Sequence, residues 1–313
     1  MSFLSALIIV LLVIALAVPG FVLKKAKLLP ERASNALAVV LLYVAQPFLM
    51  ISSLLNRKFS SDMLPDFGAV IIFAVVLQLI VYYFSKLFFA RVKNEPTRRV
   101  CVASAYLGNV GFMGIPVMKA LFPDNDVIVL YTVVFNIVFN AMTWTLAVYA
   151  ITGDKSKVRP WKILLNPPTI ATLVALPFFF CNVALPENLL DTIGYLGDMT
   201  LPLSMIILGI RLADIRFSAL FRSLPVYGVA FVKLIVSPLV ALGVMLLVRL
   251  ALPLDRFVVI ALYVIFAMPT ASSALNFAEM YEGDRETAAS ATLMNTILCI
   301  LSIPILMLLC EFI

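Results

Sequence analysis

A nine-residue stretch beginning at Gly108 reads GNVGFMGIP and places three glycines, an asparagine and a proline inside an uncharged apolar segment. Gly108, Gly111 and Gly114 weaken a helix and let another backbone approach closely. Pro116 removes a backbone donor and clashes with the preceding helical turn. Because lipid offers no partner for freed backbone groups, such a break must face protein or a water-filled cavity. The stretch therefore predicts an interrupted membrane helix that exposes N–H donors beside the amide of Asn109.

A second stretch, AMPTASSALN, begins at Ala267 and carries a proline followed by hydroxyl and amide side chains. Both stretches fall near the middle of predicted spans, so two broken helices can cross at the bilayer midplane. Freed N–H groups and half-helix dipoles at such a crossing can bind an anion. The competing interpretation is close helix packing, which short glycine patterns often serve in membranes. This stretch supplies Pro269 as the break and the predicted substrate-binding residues Thr270, Ser272, Ser273 and Asn276.

Further amide side chains lie inside predicted membrane helices. Asn136 and Asn140 occur in the fifth span and Asn295 in the tenth, and Gln46 stands next to a proline in the second. Amides of this kind commonly form hydrogen bonds between helices, worth around 0.6 to 2 kcal/mol each. We expect Asn136 and Asn295 to brace the crossing and Gln46 to face the site. The predicted substrate-binding residues therefore also include Gly108, Asn109, Gly111, Asn136, Asn295 and Gln46.

Two ionisable residues fall inside predicted spans. Lys233 costs about 2.5–3.5 kcal/mol on insertion scales. It is interpreted as a fixed cation that offsets the charge of an anionic substrate or stands in the place of a sodium ion, with a structural ion pair as the alternative. Asp198 is a candidate for proton or cation coupling, or else a capping or water-facing residue. The sequence has no histidine, so any proton coupling would use a carboxylate such as Asp198.

Composition identifies an integral membrane protein. Of the 313 residues 63% are hydrophobic and 13% charged, and the mean hydropathy is +1.10, whereas soluble proteins are nearer half apolar and a quarter charged. A membrane helix needs about 20 apolar residues. Charged residues mark the ends of ten predicted spans, at 3–23, 35–55, 67–89, 100–121, 127–151, 163–186, 192–210, 223–248, 257–280 and 287–311.

Lysine and arginine residues concentrate in the short loops after spans 1, 3, 5, 7 and 9. The positive-inside rule makes those loops cytoplasmic, which puts both termini outside and predicts a multi-pass protein of the cell membrane. The same distribution explains the net charge of +6 and argues against nucleic-acid binding, because the charges are spread over five short loops. Arg211, Arg216 and Arg222 belong to the loop predicted after span 7.

The second half of the chain repeats features of the first. QPFLMISSLL in span 2 matches LPLSMIILGI in span 7, the two breaks lie in spans 4 and 9, and Asn136 and Asn295 lie in spans 5 and 10. A displacement of five spans makes the halves run in opposite directions. We therefore expect two inverted five-helix repeats, at 1–151 and 163–313. Interrupted helices at matching places in such repeats indicate a transporter's binding site.

The segments AYLGNVGFMGIPVMKALF and AMPTASSALNFAEMY together resemble the auxin efflux carrier family, which includes plant PIN-type carriers and bacterial malate and malonate carriers. Residues 201–212 and 231–242 fit the same pattern. The resemblance implies ten helices with helices 4 and 9 broken and crossing, in a homodimer. It also implies a scaffold of helices 1, 2, 6 and 7, against which helices 3, 4, 5, 8, 9 and 10 carry an organic anion in an elevator-like motion. The long cytoplasmic insert of the plant carriers is absent.

Among function classes, the sequence favours a secondary transporter of a small organic anion, a mono- or dicarboxylate, coupled to H⁺ or Na⁺ or uncoupled. An anion channel would require a continuous polar stripe, whereas polarity here clusters at one depth. An intramembrane protease would require paired aspartates, a Ser–His pair or a zinc motif. No ATP-binding motif is present. We predict no catalytic residue, cofactor or metal site, since the four cysteines fall in apolar segments.

Overall fold

A computed structural model describes residues 3–214 and 223–313 of the chain. Helices make up its regular structure, and within the described residues the only β-type pairing is an isolated antiparallel bridge between Gly108 and Thr270. The helices, numbered in chain order, are α1 (Phe3–Ala15), α2 (Val18–Lys25), α3 (Ala33–Leu55), α4 (Ser61–Arg91), α5 (Glu95–Tyr106), α6 (Val110–Leu121), α7 (Asp126–Thr152), α8 (Pro167–Phe180), α9 (Glu187–Asp214), α10 (Leu224–Arg249), α11 (Arg256–Phe266), α12 (Ser272–Met280) and α13 (Arg285–Cys310).

Seven helical stretches among the described residues are long and apolar enough to cross a membrane. They are Leu7–Lys25, which joins most of α1 to α2, and α3, α4, α7, α9, α10 and α13. Three shorter apolar helices, α6, α8 and α11, accompany them. The protein is therefore an all-helical, multi-pass membrane protein, while the count of ten spans and the inverted repeats remain predictions.

Three of the predicted spans are not long continuous helices, and each has a local reason. Residues 100–121 and 257–280 are divided by breaks, after Tyr106 and after Phe266. Span 163–186 contains only the 14 residues of α8. This helix begins at Pro167, a residue that suits a first helical turn, and it ends shortly before Asn182, whose φ of 51° is left-handed.

One predicted span is too short at its end. Span 7 was placed at 192–210 because Arg211 was taken to mark a loop, but α9 continues to Asp214. Arg211 therefore lies in the last turns of a membrane helix. The other two arginines assigned to that loop, Arg216 and Arg222, lie outside the described residues.

The helices pack in two neighbourhoods. In the first, the second half of α9 lies against α2 and α3, and α3 also packs on α8. In the second, α4, α5, α7, α10, α11 and α13 pack against one another, and α12 lies on α13. Contacts of α6 with α9, and of α3 with α7, join the two neighbourhoods. The two helix breaks lie where these neighbourhoods meet.

Candidate functional site

The two interrupted helices pair with each other at their breaks. The amide of Asn109 donates to the carbonyl of Pro269 at 2.8 Å, and the amide of Ala271 donates to the carbonyl of Leu107 at 3.1 Å. The hydroxyl of Thr270 is fully buried and donates to the carbonyl of Ser104 at 2.8 Å. These bonds satisfy the extended backbone between the half-helices, so the breaks are built elements of the fold.

The first turns after the breaks leave backbone donors free. The amides of Gly111 and Phe112 at the start of α6 have no acceptor among the described residues, and the same holds for Ser272 and Ser273 at the start of α12. Helix starts carry partial positive charge and orphan N–H groups. Four such donors from two helices therefore converge on the region of the crossing.

A cavity of about 270 Å³ lies against this crossing, and we call it cavity A. Its walls come from α3, α6, α7 and α12 and from the loop before α8. Its polar lining consists of residues that the sequence had singled out, together with one threonine and one further asparagine: Gln46, Gly108, Asn109, Gly111, Asn136, Asn140, Thr143, Asn166, Ser272, Ser273 and Asn276. The structure thus brings most of the predicted substrate-binding residues together.

Several polar groups around cavity A have no partner within residues 3–214 and 223–313. Among these residues, the Thr143 Oγ1 and Ser273 Oγ atoms are buried without a hydrogen bond. No bond is present within the described residues for the side-chain amides of Gln46 or Asn109. Asn136 makes only a contact of 3.6 Å from its Nδ2 to the sulfur of Met50. Buried polar groups are normally satisfied, so this cluster is typical of a ligand or water site.

Gly111 leaves a space that the side chain of Gln46 occupies. A Cβ atom on this residue would overlap the side-chain amide nitrogen of Gln46 and would lie 3.4 Å from Oδ1 of Asn136. The missing side chain therefore lets an amide from α3 reach the start of α6. The glycine serves the polar wall of cavity A as well as the helix break.

Aromatic residues also line cavity A. Trp144 makes an edge contact with Phe277, with ring centroids 5.1 Å apart. The Nζ atom of Lys162 lies 5.3 Å from the centroid of the Trp144 ring. A cation–π pair therefore lies at the end of cavity A that is remote from the crossing.

A second cavity of about 330 Å³, cavity B, lies on the other side of α12 and shares Asn109, Ser272 and Asn276 with cavity A. Its walls are α3, α9, α12 and α13. Charged side chains line its far end, namely Arg211, Asp214 and Glu279, together with the hydroxyl residues Ser34, Ser204, Thr292 and Thr296. Sequence reasoning missed Arg211 because it was counted as a loop residue. Arg211 lies one turn before the end of α9.

Lys233 lies behind the crossing and lines neither cavity A nor cavity B. Its side chain is 1% exposed, and Nζ is 3.4 Å from the carbonyl oxygen of Phe266, at the end of α11. A Cβ atom on Gly108 would be only 3.1 Å from Nζ. Within the described residues no carboxylate lies within 4.0 Å of it. The terminal amino group of Lys233 therefore stands directly behind the backbone that cavity A faces.

The turn that carries Lys233 is a π-helical turn, Val232–Val236. Pro238 explains it, because a proline inside a helix cannot donate to the carbonyl four residues earlier and pushes that turn open. The widened turn is the local feature that holds the lysine stem in the core.

The remaining predicted residues lie apart from cavities A and B. Asp198 pairs with Lys119 at 2.9 Å, and both side chains are more than half exposed. Asn295 is fully buried and donates to the carbonyl of Ala291 at 2.8 Å. Gly114, Pro116 and Pro269 shape the breaks without lining either cavity.

Comparison with known proteins identifies the family. The model of a family described as membrane transport protein matches residues 3–160 and 154–307. The chain belongs to this family, the auxin efflux carrier family that the sequence resembled. An uncharacterized transporter of Methanothermobacter thermautotrophicus is 28% identical over 312 residues, covering 97% of this chain and 98% of that protein. An uncharacterized transporter of Methanocaldococcus jannaschii is 26% identical over 308 residues, covering 95% and 96%.

Family membership makes this protein a membrane transporter. The match extends over both halves of the chain, so it includes both helix breaks and both cavities. The paired breaks therefore lie within the segments that define the transporter family.

Proposed function

We propose that the protein is a secondary transporter of a small organic anion, a mono- or dicarboxylate, which binds at the crossing of the two broken helices. The observation that carries the proposal is the set of free backbone amides of Gly111, Phe112, Ser272 and Ser273 beside cavity A. Backbone donors at helix starts are well suited to carboxylate oxygens. The unpaired amides of Gln46 and Asn109 add further donors.

An anion fits this site better than a cation does. The described lining of cavity A contains no acidic residue, whereas a cation would need carboxylates or several converging carbonyls. Lys233 contributes a positive charge from behind the crossing, and Lys162 contributes one at the remote end. The volume of about 270 Å³ lies at the small end of ligand pockets and favours a compact carboxylate.

The same geometry supports an alternating-access mechanism of the elevator type. We propose that helices 1, 2, 6 and 7 of the ten-span prediction form a scaffold in a homodimer, and that the other helices move against it with the substrate. Cavities A and B both extend from the crossing toward the loops predicted to be cytoplasmic. The Lys119–Asp198 pair joins α6 to α9 near the opposite end. In this proposal the protein lies in the cell membrane with both termini outside, and the described state faces inward.

Transport can be tested with purified protein in liposomes. We expect saturable uptake of at least one radiolabelled mono- or dicarboxylate, and counterflow when unlabelled substrate is preloaded. Imposed proton and sodium gradients then decide between H⁺ coupling, Na⁺ coupling and uncoupled transport. Unsaturable flux with a steady single-channel current would instead support an anion channel. Absence of binding and flux across a panel of carboxylates would overturn the anion proposal.

The motion can be tested at the ion pair. The double variant Lys119→Cys/Asp198→Cys, made with Cys181→Ser to remove the exposed native thiol, places two cysteines where the salt bridge lies. We expect a short bis-methanethiosulfonate cross-linker, which can span the length of the replaced lysine side chain, to stop transport and a reductant to restore it, because the cross-link joins the two neighbourhoods of helices. The single cysteine variants are the matched controls. Full transport by the cross-linked protein would contradict relative motion at this contact.

A further inference from the structure

A third cavity, of about 370 Å³, lies away from the crossing, between the end of α4, the start of α5 and the end of α7. We call it the basic cavity. Lys86, Arg98 and Arg99 line it together with the acidic residue Glu95. Three basic side chains against one carboxylate leave two positive charges in excess. All three helix ends belong to the side that the loop charges predict to be cytoplasmic.

The arginine residues of the basic cavity are held in place. Arg99 lies 2.7 Å from the carboxylate of Glu95 and donates to the carbonyl of Thr152 at 2.6 Å. Gly153, with a φ of 66°, leaves the space that the guanidinium group of Arg99 fills, since a Cβ atom there would overlap it. Arg98 approaches the same carboxylate at 3.8 Å. The shared glutamate therefore orders both guanidinium groups without neutralising them fully.

Other polar groups of the basic cavity have no partner. Lys86 is exposed and makes no ion pair within the part of the chain that the structure describes. The hydroxyl of Tyr149, which lines the cavity, makes no hydrogen bond there either. Two arginines, of which Arg99 is held by short contacts, together with the exposed Lys86 and the phenol of Tyr149, form a set of donors suited to phosphate oxygens.

Apolar surface directly beside the basic cavity identifies the kind of phosphate. Next to Lys86 on α4, Leu87 is 76% exposed and Tyr83 is 61% exposed. These side chains lie near the end of a membrane helix, where acyl chains would cover them. Basic pockets between membrane helices at the cytoplasmic surface are suited to anionic lipid head groups. We propose that the basic cavity binds the phosphodiester head group of an anionic membrane lipid, with its acyl chains against Tyr83 and Leu87.

The test compares lipids on the detergent-purified full chain. Phosphatidylglycerol is expected to raise the melting temperature and to remain bound in native mass spectra, whereas phosphatidylcholine is not. Soluble glycerol 1-phosphate separates the two sources of phosphate. If it stabilises the protein as well as phosphatidylglycerol does, the site binds free phosphate and the lipid proposal is wrong. Equal shifts with both lipids would show general solvation and would also contradict it.

Variants locate the effect. Lys86→Gln/Arg98→Gln should abolish the shift that phosphatidylglycerol causes while keeping the melting temperature measured in phosphatidylcholine. The matched control, Lys155→Gln/Lys157→Gln, removes two exposed charges from a neighbouring loop and should retain the shift. An undiminished shift in the first variant, or an equal loss in the control, would overturn the assignment. Carboxylate binding at the crossing is a separate measurement, so the two proposals can fail independently.

Discussion

Glycine serves different purposes at two close contacts in this transporter. Where α2 crosses α9, a Cβ atom on Gly209 would overlap the carbonyl oxygen of Ala17, and one on Gly20 would overlap the carbonyl of Ile206. At the crossing of the broken helices, a Cβ atom on Gly111 would overlap the side-chain amide of Gln46. The contact of α2 with α9 brings backbone against backbone. The space beside Gly111 instead admits a polar side chain from α3.

This difference distinguishes a contact that only packs two helices from one that belongs to a binding cavity. Small residues at an intact helix crossing let backbones approach and stabilise packing. At the broken pair, the approach of an amide is combined with free N–H groups and a cavity. A short glycine pattern is compatible with both outcomes. The neighbour that occupies the space of the missing Cβ atom therefore tells the two apart.

The largest effect is expected from Asn109→Ala. The side chain of Asn109 lines both cavity A and cavity B, and its amide group has no partner within the described residues, so its loss should remove a hydrogen bond to a charged substrate. Such bonds contribute about 1.5–3 kcal/mol, which weakens affinity roughly tenfold to 150-fold. Transport by this variant should fall below detection. Carboxylate affinity and uptake in liposomes are the measurements.

Asn295→Ala is the matched control for Asn109→Ala. It also removes a membrane amide, but Asn295 bonds within its own helix and lines neither cavity A nor cavity B. We expect a lower melting temperature and unchanged affinity. Normal transport by Asn109→Ala at normal protein levels would remove that residue from the site and would reduce the broken crossing to another packing contact.

The intact crossing should respond in the opposite way. Gly209→Val forces a side chain against the backbone of α2, and overpacking of this kind costs about 1–3 kcal/mol. The melting temperature should drop while the carboxylate affinity of the folded fraction stays unchanged. Gly194→Val is the control on the same helix, because no atom lies within 4 Å of the Cβ position there. Equal destabilisation by the two variants would show that close approach is not the cause.

The sequence predicted the breaks but not everything that surrounds them. Gly108, Pro116 and Pro269 act on their own backbone, so local chemistry was sufficient to locate both interruptions. The Lys119–Asp198 pair joins residues 79 positions apart, and no local pattern in the sequence encodes such a contact. Arg211 was missed because a charge was taken to end a span, although a long side chain can line a cavity from within a helix.

The position of Lys233 behind the broken crossing leads to the third prediction. No carboxylate pairs with it among the described residues, so Lys233→Met should leave no acidic group unpaired and should retain thermal stability. Affinity for a carboxylate should fall about tenfold, or about 1.4 kcal/mol, through the loss of a nearby charge. Binding and melting temperature are measured on one preparation.

Lys233→Arg is the charge-preserving comparison. It should keep part of the affinity, but the adjoining cavity is only about 10 Å³, so the larger head group should lower the melting temperature. Unchanged affinity in Lys233→Met would refute the electrostatic role. Destabilisation of that variant with intact affinity would instead favour a structural role, through the contact of Nζ with the carbonyl of Phe266.

The smallest effect concerns the loop between α12 and α13, which ties the two broken helices together. Asp284 precedes α13, where its carboxylate accepts hydrogen bonds from the amide of Thr287 at 3.0 Å and from the hydroxyl of Thr97 on α5 at 2.6 Å. Burial alone would raise the pKa of this carboxyl, but the hydrogen bonds from Thr287 and Thr97 hold the pKa below its ordinary value. The ionised form is therefore the one that stabilises the fold.

A depressed pKa fixes the direction of the pH dependence. The contribution of Asp284 is fully present above the pKa of an unfolded aspartate, about 3.9, and is lost as the pH falls through the lower folded value. Asp284→Ala should cost about 1 kcal/mol at pH 6 through loss of the helix cap, and the difference from the native protein should shrink toward pH 3. Thr97→Val removes one donor and should make the pH dependence of stability shallower.

Carboxylate affinity at pH 6 should be unchanged in both variants. The proposed substrate site lies at the crossing of the broken helices, whereas Asp284 only fastens the loop before α13 to α5. A loss of affinity in Asp284→Ala at pH 6 would mean that the loop controls the crossing and that the site is less rigid than its hydrogen bonds indicate.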